Sequence, residues 1–84
     1  MPAGYAINRQ LVFVLRNGTI IVDWGNGWGA DLERGEFIPF KEGDASHSVQ
    51  DDELESLKRM GLVSEYNQTQ VYFTYIPEPP SQKS

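Results

Sequence analysis

The chain has 84 residues and a formal net charge of −5, from twelve acidic and seven basic side chains. That length holds one small domain rather than two, and the negative balance works against nonspecific attachment to nucleic-acid phosphates or to an anionic membrane surface. There is no cysteine, which excludes a disulfide framework and a thiolate metal site.

No apolar run approaches the ~20 residues that a membrane-spanning helix needs. Met1-Pro2-Ala3-Gly4 has neither the basic region nor the apolar stretch of a secretion signal, so a cytoplasmic location is expected. Residues 1–8 carry little patterning and are expected to be loosely ordered. Residues 9–76 form the domain. The Pro-rich, polar tail at 77–84 is expected to be disordered.

The strongest local signal is a β-hairpin. Leu11-Val12-Phe13-Val14-Leu15 is followed by Asn17-Gly18 and then by Thr19-Ile20-Ile21-Val22. Asn-Gly tolerates the positive φ angles of a two-residue type I′ turn. Such a turn sets Leu15 opposite Ile20 and Phe13 opposite Val22. Alternation then sorts Leu11, Phe13, Leu15, Ile20, Val22 and Trp24 onto one apolar face, the expected core side. The other face carries Val12, Val14, Arg16, Thr19, Ile21 and Asp23, a mixed set.

Gly25-Asn26-Gly27-Trp28-Gly29 reads as a glycine-rich loop. Glu36 to Lys41 reads as a short third strand, and Pro39, which has no amide proton, confines it to an edge. Residues 42–48 are polar and loop-like. A helix is predicted at about 49–60, with Ser48 as its N-cap. Asp51, Asp52 and Glu53 lie in its first turn, and Lys58 and Arg59 in its last, matching the helix dipole. Leu54, Leu57 and Met60 form its apolar stripe. Gly61 is placed to end it, with Leu62 folding back on Leu57 in a Schellman motif. A last strand is predicted near Gln70 to Ile76. The fold class is therefore α+β: a small antiparallel sheet, made of the hairpin plus one or two further strands, with one helix on one face, in the order β-β-(β)-α-β.

Leu54-Glu55-Ser56-Leu57-Lys58-Arg59-Met60-Gly61-Leu62-Val63, followed by Val71-Tyr72-Phe73-Thr74-Tyr75, resembles the recognition helix and wing of winged-helix proteins. A hairpin stands where that family has two preceding helices, and Asp51, Asp52, Glu53 and Glu55 would repel DNA. Nucleic-acid binding is not expected from the resemblance.

A search for chemistry finds no catalytic constellation. His47 is the single histidine, and Ser46 and Ser48 flank it without the spacing that would fix a nucleophile-and-base geometry. Asp44, His47, Asp51, Asp52 and Glu53 match no metal-binding loop. The glycine-rich loop has no lysine and adjoins Asp23 and Asp31, so it is a poor phosphate cradle. No cofactor and no metal are expected. The leading expectation is a small non-catalytic protein-interaction or regulatory module, pairing with another protein or with itself. Its candidate surface is Val12, Val14 and Ile21 on the second hairpin face, together with Trp28 as an aromatic anchor. Two alternatives follow from other residues. Trp24 and Trp28 could stack on a sugar ring, giving a carbohydrate-binding domain. The acids at 51, 52, 53 and 55 could mimic nucleic acid and inhibit a DNA-binding partner.

Overall fold

The computed structural model describes residues 4–80, and its hairpin differs from the expected one by a single residue of register. Strand β1 (Tyr5–Asn8) is followed by a 3-10 turn at Arg9–Leu11, then by β2 (Val12–Leu15) and β3 (Ile20–Gly25). Val12 faces Val22, Phe13 faces Ile21 and Val14 faces Ile20. The connection is a three-residue loop, Arg16-Asn17-Gly18. Leu15 N–H donates to the Thr19 carbonyl at 2.8 Å, and Gly18 N–H to the Leu15 carbonyl at 2.9 Å. Only Gly18 of the three has a positive φ, +91°. This is a type I turn closed by a glycine bulge, the other hairpin geometry that Asn-Gly supports.

One residue of slip exchanges the two faces of β2 relative to β3, so that Ile20 and Val22 keep their expected side while the β2 residues change theirs. Val12, Val14 and Val22 enter the main core, whereas Phe13 and Ile21 enter a second cluster with Phe40. The expected core face is corrected accordingly: Leu11 and Trp24 are exposed and Leu15 is only partly covered.

The two-residue type I′ turn occurs one hairpin later. Strand β4 (Trp28–Asp31) returns beside β3 through Asn26-Gly27, whose φ angles are +57° and +84°. What reads as a glycine-rich loop is thus a turn and the start of a strand. Strand β5 (Glu36–Pro39) pairs with β4 and ends the sheet at one side, the edge position that Pro39 requires. After a 3-10 turn at Glu42–Asp44, the polar segment Ala45–Ser48 forms β6, which pairs with β2 and closes the other side. The five-stranded antiparallel sheet has the order β5-β4-β3-β2-β6.

Helix α1 (Asp51–Arg59) follows. Ser48 is committed to β6, opposite Phe13, so the N-cap moves to Gln50. Its N–H donates to Glu53 Oε1 at 2.7 Å. At the other end Gly61 has φ +80°, Gly61 N–H donates to the Lys58 carbonyl at 3.0 Å, and Leu62 N–H to the Leu57 carbonyl at 2.9 Å. These are the two bonds of the expected Schellman motif. Leu54 and Leu57 are fully buried, but Met60, at the C-cap, is exposed and Leu62 packs in its place.

Strands β7 (Val63–Tyr66) and β8 (Gln70–Phe73) form a second antiparallel sheet with β1, in the order β1-β8-β7. Residues 5–8, expected to be loose, are paired along β8. Ile76 and Pro77 are buried, so the expected tail is anchored at its start. Its end, 81–84, and the first three residues of the expected loose N-terminus lie outside the described residues.

The main core lies among the two sheets and the helix. It joins Val12, Val14, Val22 and Ala30 to Val63, Val71 and Phe73, and to Leu54 and Leu57. The far face of the larger sheet is covered locally: Phe40 lies on Phe13 with ring centroids 5.7 Å apart, with Leu15, Ile38 and Ala45 around them. The fold is therefore α+β, with two antiparallel sheets and one α-helix among the described residues rather than a single small sheet. No helix among the described residues is long and apolar enough to cross a membrane.

Candidate functional site

Trp24 and Trp28 flank the Asn26-Gly27 turn, and both are 37% exposed. Trp28 alternates with Ala30 on β4 and so stands on the main-core face of the larger sheet. Trp24 sits where the β3–β4 register shifts. Its ring meets Phe37 edge-on, at 5.3 Å and 81°, and Phe37 is the cross-strand neighbour of Ala30. The two indoles thus share one face, at the end of the sheet beyond the buried core. The edge-to-face contact holds Trp24 in place. Neither indole N–H bonds to another described residue, and the Asn26 side chain at the turn tip is likewise free of such a bond.

The other three candidate surface residues are not available on a free surface. Val12 is 0% exposed, Val14 3% and Ile21 0%. The register slip carries Val12 and Val14 into the main core, and Phe40 closes over Ile21's side of the sheet. Of the four residues proposed from sequence, Trp28 alone is at the surface, and Trp24, expected in the core, joins it.

A polar cleft of about 460 Å³ is lined by Arg9, Gln50, Asp51, Asp52 and Gln68. Arg9 is already engaged there. Its Nη2 pairs with the Asp51 carboxylate, its Nη1 donates to the Asn67 carbonyl at 3.0 Å, and its guanidinium lies over the Tyr66 ring. The Tyr66 hydroxyl donates to Glu55 Oε2 at 2.6 Å. That bond, with burial and the Glu55 and Asp51 charges, pushes the phenol up to about 12 against the opposing pull of Arg9. The cluster ties the 3-10 turn and β7 to α1.

His47 Nε2 lies 2.8 Å from Glu53 Oε2, and its Nδ1 lies 3.3 Å from Ser46 Oγ. The order serine, imidazole, carboxylate has the outline of a hydrolytic array. Here Ser46 and His47 are adjacent on an exposed edge strand, and Glu53 is occupied as the helix cap. The contact serves to hold β6 against the start of α1. Three of the four acids that could mimic nucleic acid are similarly spent on the protein itself: Asp51 on Arg9, Glu53 on His47 and Gln50, and Glu55 on Tyr66. Among the described residues no group of three or more His, Cys, Asp or Glu side chains could hold a metal ion.

Sequence signals for the indole face were partial. Trp28 is legible because it lies among glycines with no apolar period. Trp24 is concealed because alternation with Ile20 and Val22 places it on the core side, whereas this end of β3 runs beyond the buried core. No protein-family model, curated protein or solved structure matches this chain.

Proposed function

We propose that this chain is a non-catalytic protein-interaction module whose contact surface is centred on Trp24 and Trp28. The observation that carries the reading is the shared exposure of the two indoles on one sheet face, with both N–H groups free to bond outward. Tryptophan in such a position supplies large apolar area and one polar bond, the combination enriched at interface hot spots. The net charge of −5 favours a basic protein partner through electrostatic steering. A cytoplasmic setting suits the cysteine-free sequence.

The test is affinity capture with the wild-type chain, Trp24→Ala and Trp28→Ala, each checked by thermal unfolding, with binding of each captured protein then measured pairwise. The reading expects a basic partner whose binding falls with salt and is lost in either tryptophan variant while the fold is retained. Partners that bind both variants as well as wild type would overturn it. Light scattering reports separately whether the chain pairs with itself through this face.

A second reading is a carbohydrate site. It is favoured by the free Asn26 amide beside the two exposed indoles, since sugar recognition combines stacking faces with planar polar groups. A glycan titration followed by tryptophan emission distinguishes it, because a protein-specific face gives no response to glycans.

A further inference from the structure

The chain contains two Asn-Gly pairs, Asn17-Gly18 and Asn26-Gly27, and the fold holds them in opposite states. Asparagine followed by glycine is the sequence most open to spontaneous deamidation, because glycine offers no Cβ to hinder attack by its own backbone nitrogen. The Gly nitrogen attacks the Asn Cγ, a C–N bond forms, and the Cγ–Nδ2 bond breaks. The proton of the Gly N–H leaves with the amide as ammonia. Water then opens the resulting succinimide at one carbonyl or the other, to give aspartate or isoaspartate. The sequence consumes one water and releases one ammonia, with no redox step.

At Asn17 both reacting groups are tied. Its Oδ1 accepts from Thr19 N–H at 3.0 Å, and Gly18 N–H, the would-be nucleophile, donates to the Leu15 carbonyl at 2.9 Å. The bond from Gly18 N–H must break before its nitrogen can attack, and the bond to Oδ1 restrains the side chain that the nitrogen must reach. At Asn26 neither the side chain nor the Gly27 N–H bonds to another described residue. The turn is held instead by the Gly27 carbonyl, which accepts from Phe40 N–H at 2.9 Å, one bond system beyond the attacking nitrogen. Asn26 is exposed and takes the left-handed φ of +57° that a type I′ turn requires.

From this contrast we propose that Asn26 is the chain's site of spontaneous deamidation, and that its conversion remodels the Trp24–Trp28 face. Isoaspartate inserts an extra methylene into the backbone of a two-residue turn, which no longer matches the twist of β3 and β4. Aspartate instead places a carboxylate between the indoles. The remodelling of a working surface rests on the interaction reading above, whereas the choice of Asn26 over Asn17 does not.

The experiment is peptide mapping by mass spectrometry of the full chain, aged in mildly alkaline buffer, with and without urea. The hydrogen bond that occupies the Gly18 N–H predicts conversion at Asn26 roughly tenfold faster than at Asn17 in the folded chain. In urea the two rates converge, because the protection belongs to the fold. Equal rates in the folded chain, faster loss at Asn17, or conversion at neither site would overturn the assignment. Tryptophan emission of the aged chain reads the second half: a shift that tracks isoaspartate at 26 is expected, and unchanged emission overturns the remodelling. If mapping succeeds but no partner depends on the tryptophans, the interaction reading fails and the modification site stands.

Discussion

Phe13 lies directly across β2–β3 from Ile21, and Phe40 closes over the pair from the far end of β5. What allows that closure is Gly29. A Cβ at this position would sit 2.5 Å from Ile21 Cγ2 and 2.8 Å from Phe40 Cβ, closer than packed carbons approach. The glycine is thus a packing requirement on β4, independent of any turn.

Gly29→Ala should therefore overpack the second cluster and destabilise the fold by about 1–3 kcal/mol. A urea titration measures it. The penalty should shrink when Ile21→Ala removes the nearer clash, and that non-additivity is read from a double-mutant cycle. Additive effects would show that the sheet relaxes elsewhere.

Val14→Asp tests the register. On an uncovered partner-binding face, as the sequence first suggested for Val14, an added carboxylate would be nearly neutral to stability. In the observed register Val14 is 3% exposed within the main core, with no cationic partner in that cluster. The cost of an unpaired buried charge, about 3–5 kcal/mol, is a large part of the stability of a small domain. Circular dichroism should show loss of cooperative unfolding, and a well-folded variant would refute the register.

The helix and its end were legible because several signals agree there: first-turn acids, last-turn bases, two buried leucines and a Gly-Leu step after them. The hairpin was legible as a hairpin but not in register. Asn17-Gly18 fits two loop lengths, and hydrophobic alternation could not choose between them because both sheet faces are covered. The pattern that normally fixes register was therefore satisfied either way. Strands β4 and β6 were hidden by composition, since Trp28-Gly29-Ala30-Asp31 and Ala45-Ser46-His47-Ser48 lack β-branched residues and are held by their neighbours. The candidate site followed the same division. Trp28 needed no register to be placed; Val12 and Val14 did, whereas Ile21 and Trp24 depended on how far each sheet face is covered.

Gly61→Ala isolates the Schellman turn from packing. Nothing lies within 4 Å of a Cβ built there, so the substitution meets no clash. Its φ of +80° is the whole obstacle, at about 1–2 kcal/mol. Thermal unfolding should register that loss, and Gly61→Asn should recover part of it because asparagine tolerates the left-handed region. An alanine variant as stable as wild type would mean that the helix ends by another geometry.

Tyr66 gives the chain a defined alkaline response. Its hydrogen bond to Glu55 is the first cause of the rise from 10.0 to about 12, followed by burial and the nearby carboxylate charges. The folded state thus retains a proton that the unfolded chain releases. Linkage then makes this contribution fully present below about pH 10 and lost as pH rises through about 12. An ultraviolet titration should find a tyrosine ionising near the upper value. In Glu55→Gln the carboxylate acceptor and its charge are both removed, so that ionisation should return toward the ordinary range. Stability should then fall less steeply across the same alkaline window than in wild type. The two readouts must move together. An unchanged titration in the variant would mean that Glu55 is not what holds the phenolic proton.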